Sequence, residues 1–342
     1  MFVVAVFAAL AFSAMTTVPA LADDSVPPPT ETPTVEVQPT QEVAPAVETA
    51  PITLQDQTAE NILASMPEGT DVVVVNEDGE TVPLASTEAT DIINSNDPIW
   101  CPTGVAPNPG VGGCTTAQDS FNGGLIPLLY NKTTNGTIWI LGSYQGTTAV
   151  EGGAVVLNNG DSLGTTANYA LTIKGGWTGS TAGTIDSSNP SEFNVPLQIS
   201  FWNNILTLSD IEITGVSGTP FHALEIQIYK NVILNNVNVH DNTTGWGGAQ
   251  VSTQVGTSGN IVISDSSFNN NAGTYDGLIV TSSGTITIKN LNVIGNTTGQ
   301  GAVLGGKAIT LTGSNNFKFN SGDGLVVSSS GAISLNNVTA IS

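Results

Sequence analysis

The apolar positions in the last third of the chain recur in an order that no single helix or hairpin explains. From residue 207 onward six segments read TLSDIEI, VILNNVNV, IVISDSSF, ITIKNLNV, ITLTGSNNF and ISLNNVTAI. In each, a short β-branched strand meets one Asn, Asp or Gly and then resumes as a second strand. These corner residues are Asp210, Asn236, Asp265, Asn290, Gly313 and Asn337, spaced 26, 29, 25, 23 and 24 residues apart. A second mark, Gly248, Gly277, Gly301 and Gly324, opens a further apolar strand in four repeats (AQV, LIV, AVL, LVV). A period in the twenties built from short strands and Asn/Gly corners is the pattern of stacked coils, none of which can bury its apolar face alone. The expected fold is all-β, a right-handed parallel β-helix, with coils stacked about 4.8 Å apart around one shared core. Val251, Val280, Leu304 and Val327 are expected to line one inner wall, and Ile263, Ile288, Leu311 and Leu335 another. The corners demand tight or left-handed backbone, which Asn, Asp and Gly tolerate best. Asn236, Asn290 and Asn337 can stack there as a partial amide ladder.

Upstream the pattern changes. Residues 1–22, with the apolar run FVVAVFAALAFSAM closing on Ala20-Leu21-Ala22, read as an export signal, although no Lys or Arg precedes the run. The run is short for a membrane span, and no later segment reads as one. Residues 23–51 form a Pro/Thr/Glu-rich spacer with too few large apolar side chains to offset the entropy of ordering. Residues 52–97 read as a small α+β module, with a helix from Asp56 to Met66, strands at Val72–Val75 and Thr81–Leu84, and a second helix after Ser86. Residues 98–130 hold a cysteine loop and a capping segment, and 131–342 the β-helix. No capping coil follows the last repeat, so the chain reads as the front of a longer protein.

Cys101 and Cys114, the only cysteines, bracket PTGVAPNPGVGG. Their even count behind an export signal predicts a disulfide, which stabilises by about 3 kcal/mol in the chain-entropy model.

Charge removes some functions. The net charge is −22, and the six basic residues are all lysines. Such a chain lacks the basic footprint that nucleic acids and anionic membranes require. Residues 23–97 hold 16 of the 28 carboxylates, which leaves the β-helix only mildly acidic.

The strand Gly136-Thr-Ile-Trp-Ile-Leu-Gly-Ser-Tyr144 and the later Leu171-Thr-Ile-Lys-Gly-Gly176 follow a helix-prone stretch at 117–130 that Gly123, Gly124 and Pro127 would keep short. Here residues 117–342 resemble exported β-helix proteins related to pectate lyases and polymorphic surface adhesins. The resemblance implies a capping helix ahead of the coils and supplies no catalytic residue. It also implies what an enzyme of this kind would need: a basic residue with Asp-bound calcium for a lyase, or clustered aspartates with a nearby histidine and basic pair for a hydrolase. This chain has no Arg and no Asp-Asp pair in the coils. Asp210 and Asp265 share a corner column two coils apart, about 10 Å, at the far end of the spacing for inverting carboxylates.

Other candidates sit in the loops. His222, aligned with Ala249, Leu278, Ala302 and Leu325, reads as a core-edge residue. His240 beside Asp241 reads as a surface pair, sensitive to pH or metal. An N-T-T-G repeat at Asn242–Gly245 and Asn296–Gly299 reads as surface loops. Trp246 there is placed to stack on a sugar ring, with Asn242 and Asn296 as neighbouring contacts, whereas Trp177 and Trp202 read as cap or core. No cofactor or metal is expected; Ca²⁺ suits the available oxygen ligands but has no motif. Together these readings predict an exported cell-surface β-helix that binds an extracellular glycan or another surface protein without catalysis. The alternatives are a β-helical polysaccharide lyase or glycoside hydrolase, and a self-assembling filament or sheath subunit.

Overall fold

The computed structural model describes residues 98–158 and 163–341, with the strands Val73–Val75 and Thr81–Pro83. The expected signal, spacer and both helices of the small module lie outside the described residues. The two short strands pair antiparallel, with Val74 opposite Val82.

Residues 136–341 form a parallel β-helix of about six turns. Each full coil runs through three walls. Its first-wall strand ends at a corner, the second-wall strand follows at once, and a loop then leads to the third wall. The coil of Leu206–Thr214 passes from the first to the second wall at Asp210 and reaches the third at His222–Ile228. In the first wall Leu206, Val232, Ile261, Ile286 and Ile309 stack in register, as do Leu208, Leu234, Ile263, Ile288 and Leu311, and all ten are fully buried. In the third wall Val251, Val280, Leu304 and Val327 align as their spacing predicts. Leu335 aligns with Leu311 but stays exposed, because its coil is the outermost described.

Side-chain size alternates between successive coils. Val239 and Ala249 occupy one coil, Phe268 and Leu278 the next, Val293 and Ala302 the third, and Phe317 with Leu325 the fourth. Phe268 therefore has coils with smaller residues at these columns on either side, which suits close packing of a bulky ring at a fixed coil spacing.

The corner residues Asp210, Asn236, Asp265, Asn290, Gly313 and Asn337 all have φ between 50° and 73°. Asn236 donates to Asp210 (2.9 Å) and Asn290 to Asp265 (2.7 Å), so amide and carboxylate corners pair across coils. A second left-handed column ends the second wall at Gly215, Asp241, Asn270, Gly295 and Phe319. Phe319 is the one bulky residue in that column and is 69% exposed.

A stronger ladder lies inside the next bend. Asn242, Asn271, Asn296 and Asn320 are buried in succession. Each reaches back one coil. Their Nδ2 atoms donate to the carbonyls of Ile213, Val239, Phe268 and Val293, and their Oδ1 atoms accept from the backbone N–H of Val216, Asn242, Asn271 and Asn296. The glycine column makes room for them. A Cβ on Gly248 would meet the Asn271 amide at 2.7 Å, and one on Gly277 or Gly301 would meet Asn296 or Asn320 at 2.4 Å. The placement of Asn242 and Asn296 as surface contacts is therefore corrected. The backbone groups of this inward bend have no water available, and the amides satisfy them.

The first coil is closed by two devices. Ile99–Pro102 pairs antiparallel with Gly136–Leu141 and covers the exposed edge of the first wall. The Cys101–Cys114 disulfide, 13 residues apart, holds the loop that returns from this strand. It packs in a small separate core with Ile99, Leu141 and Trp177. A helix then plugs the end of the main core with Phe121, Leu125, Ile126 and Leu129, which are all buried. It begins as a π turn over Phe121–Leu125 and continues as α-helix over Ile126–Leu129, so Gly123, Gly124 and Pro127 are accommodated. Its first residue position has no side-chain cap from Ser120. The buried Glu151 carboxylate does that work, accepting from the backbone N–H of Phe121 and Asn122 (3.0–3.1 Å) and from the Tyr144 hydroxyl.

Asn271→Leu should lower stability by about 3 kcal/mol, because it strands the Val239 carbonyl and the Asn242 N–H away from water. Gly277→Ala should cost about 2 kcal/mol through the clash with Asn296. Gly305→Ala, whose added Cβ meets nothing within 4 Å, should be close to neutral. Urea unfolding of the three variants checks this, and equal effects at the two glycines would contradict it.

Candidate functional site

The loops between the second and third walls carry a row of aromatic side chains. Phe221, Trp246 and Tyr275 stand on three successive coils and are 38%, 38% and 52% exposed. Neighbouring rings meet edge to face, with Phe221 and Trp246 at 5.8 Å and 80°, and Trp246 and Tyr275 at 6.5 Å and 76°. Backbone bonds tie the loops together. Gly245 N–H donates to Thr219, Thr274 to Gly245, and Tyr275 to the Trp246 carbonyl (2.6–3.0 Å). The row continues onto Gly299, which lies against Tyr275 and Asp276, and then Gly322, whose N–H donates to the Gly299 carbonyl. Beside it, Asp276 accepts from the Gln300 N–H at 2.6 Å, while the buried Oε1 of Gln300 has no partner. The result is a preformed apolar ledge with a polar border.

His222 lies beneath this ledge. It is buried, 5.7 Å from the Trp246 ring and 6.4 Å from the Tyr275 ring, and its Nδ1 has no hydrogen-bond partner. Burial lowers its pKa to about 4, outweighing the smaller opposing influence of the neighbouring Gln250 side chain and Gly247 backbone. Near neutral pH it is therefore an uncharged ring. Its expected alignment with Ala249 is corrected: His222 pairs with Gly247, and Leu224 occupies the column of Ala249, Leu278 and Ala302.

A second cluster lies on the outer face of the second wall. Glu192 and Glu212 stand in register on adjacent coils. His240 bridges Glu212 through Nε2 (2.6 Å) and Asp241 through Nδ1 (2.7 Å). The left-handed backbone of Asp241, φ 55°, turns its carboxylate back onto its neighbour. For His240 burial alone would lower the pKa, but the bonds to Asp241 and Glu212 and their negative charge raise it above the ordinary value. The Asp241 carboxyl is held low by the same bond. The sequence anticipates His240 with Asp241; it does not reveal Glu212, which is one coil away and 28 residues earlier.

The other candidates separate from these two sites. Asp210 is buried at its corner, where Asn236 bonds both its carboxylate and the Ser187 carbonyl of a covering loop. Trp202 is in the main core and Trp177 in the disulfide core. Two lysines are held over indole rings, Lys132 above Trp100 at 4.8 Å and Lys174 above Trp139 at 5.1 Å. Among the described residues no group of three or more His, Cys, Asp or Glu could hold a metal ion. Among the described residues, shallow hollows include one of about 250 Å³ beside Tyr144 and Gln145 and one of about 460 Å³ among Ser282, Gly305, Lys307 and Ser329. Neither reaches the aromatic ledge.

Trp246 is the only member of the ledge that sequence reasoning found. Counting two residues back from Gly248, Gly277, Gly301 and Gly324 would have found Trp246, Tyr275, Gly299 and Gly322 together. Compared with protein-family models, with curated proteins and with solved structures, the chain matches none.

The two histidines should act on stability in opposite directions. His222 is harder to protonate in the folded than in the unfolded chain, so its contribution is complete above pH 6.5 and is lost as pH falls towards 4. His240 is easier to protonate when folded, so its contribution is complete below pH 6.5 and is lost as pH rises through its folded value. Denaturation of His222→Leu and His240→Gln between pH 4 and 8 should show the first losing the acid slope and the second the alkaline one. Parallel profiles would contradict this.

Proposed function

We propose that the protein is an exported β-helix of the surface-adhesin kind, working outside the cell as a binding face rather than as a catalyst. Its contact residues are Phe221, Trp246 and Tyr275, and its partner is a glycan or another surface protein. One observation carries the reading: three large aromatic side chains stay partly exposed in register on adjacent coils, although inward columns for apolar side chains run along all three walls. An aromatic row braced by its own backbone ladder loses little entropy on binding. The Pro/Thr/Glu-rich stretch at 23–51 would act as the spacer that holds this face away from an envelope. Binding of the full chain to intact cells and to insoluble polysaccharides should fall at least tenfold when all three aromatics become alanine, with the far-UV spectrum unchanged. Undiminished binding would overturn the reading.

A second reading has its own observation. Glu192 and Glu212 are neighbours in register, near the separation of carboxylate pairs in retaining glycosidases, and His240 restrains one of them. As a hydrolase the chain should release reducing ends from a polysaccharide, with activity falling at least a hundredfold in Glu192→Gln and in Glu212→Gln. Sugar release equal to that of a buffer control excludes it.

A further inference from the structure

The aromatic ledge also limits which ligand it can take and how that ligand lies. We propose that it binds an unbranched, neutral, β-linked glycan running along the solenoid axis, with one sugar ring per coil. This rests on reading the ledge as the contact face, and it goes further by naming the ligand class and its direction.

Direction follows from register. Phe221, Trp246 and Tyr275 belong to adjacent coils tied by parallel strands and by loop bonds, so their backbones recur at the strand spacing of about 4.8 Å, and their ring centroids stand 5.8 and 6.5 Å apart. An extended β-linked hexose chain advances by a similar step per residue, so its rings and the coils stay in phase. A chain lying across the axis would meet one aromatic ring only.

Chemical class follows from the surroundings. Aromatic faces attract the C–H faces of pyranose rings, and aromatic edges carry partial positive charge that suits hydroxyl oxygens. The near-perpendicular rings of this row offer both in alternation. The border bears Asp276 and Asp323 in line with Gln300, and no lysine shares that register column: Lys174 and Lys289 lie on first-wall strands, Lys318 ends a second-wall strand, Lys230 and Lys307 follow third-wall strands, and Lys132 precedes the coils. Uronates and sulfated sugars would therefore meet like charge without a cation to pair with. At one end of the row the backbone is bared by Gly299 and Gly322, where a side chain would block the path. There the unpartnered Oε1 of Gln300 is an acceptor that a sugar hydroxyl can satisfy after a side-chain rotation.

Titration calorimetry of the full chain tests this, using neutral β-linked gluco-oligosaccharides from the monosaccharide to the pentasaccharide and oligouronates of matching length. Affinity should climb about five- to tenfold with each sugar up to the trisaccharide and then level off. Oligouronates should bind at least tenfold more weakly. Tyr275→Ala, at the most exposed of the three positions, should shorten the climb by one sugar, and Trp246→Ala should flatten it. Binding that ignores chain length, or that favours uronates, overturns the inference but leaves the ledge as the contact face. So does binding to cells that depends on Trp246 when no glucan binds. If no binding of any kind depends on the three aromatics, the proposed function falls as well.

Discussion

Much of the structure depends on one requirement, the satisfaction of backbone groups at a bend that has no access to water. A β-helix must turn its chain sharply several times in every coil, and each turn interrupts the strand ladder. At the outward corners, other than that of the covered Asp210, solvent is near, so Asp, Asn and Gly serve equally. At the bend after the second wall the groups face inward, and asparagine meets the need. Its amide donates to a carbonyl and accepts from an N–H of the preceding coil, as Asn271 does with Val239 and Asn242. Leucine could fill that space but would leave both groups unpaired. The glycines at 248, 277 and 301 follow from this choice, because the amide of the next coil occupies the volume a Cβ would take.

The same requirement explains how much could be read from the sequence. The walls were legible because they rest on period-two alternation and a repeat length, both of which survive in a single chain. The outward corners were legible because left-handed backbone restricts residue choice. The buried ladder was not recognised, although Asn242, Asn271 and Asn296 each follow a corner residue by six positions. Asparagine beside threonine reads as a solvated loop, and only the fold shows that the chain turns inward there. In the last rung the offset is seven, because the turn at Gly313-Ser314 carries one more residue, and this hides the column further.

The functional surfaces were harder to read for a related reason. They are assembled across coils, so members on adjacent coils lie 20 to 29 residues apart and share no local motif. His240 with Asp241 is visible as a dipeptide, whereas Glu212 joins them only through register. Trp246 is conspicuous by type, but Tyr275 becomes meaningful only once the glycine column supplies the count, and Phe221, two residues before Ala223, only through strand register. Packing added a constraint of its own: the alternation of Phe268 and Phe317 with Val239 and Val293 has a period of two coils, longer than any local pattern.

The division between inward and outward columns separates two kinds of inheritance. The amides and glycines form a frame in which each coil depends on its immediate neighbours, so changes there must be matched one coil away. The loops that carry Phe221, Trp246 and Tyr275 are tied by main-chain bonds that do not depend on side-chain identity, whereas Gly299 and Gly322 further along leave no room for a side chain. The three aromatic positions behave like movable type in a fixed forme. A chain built this way can exchange the letters it displays, or gain and lose whole lines by duplication, while the frame that holds them stays the same.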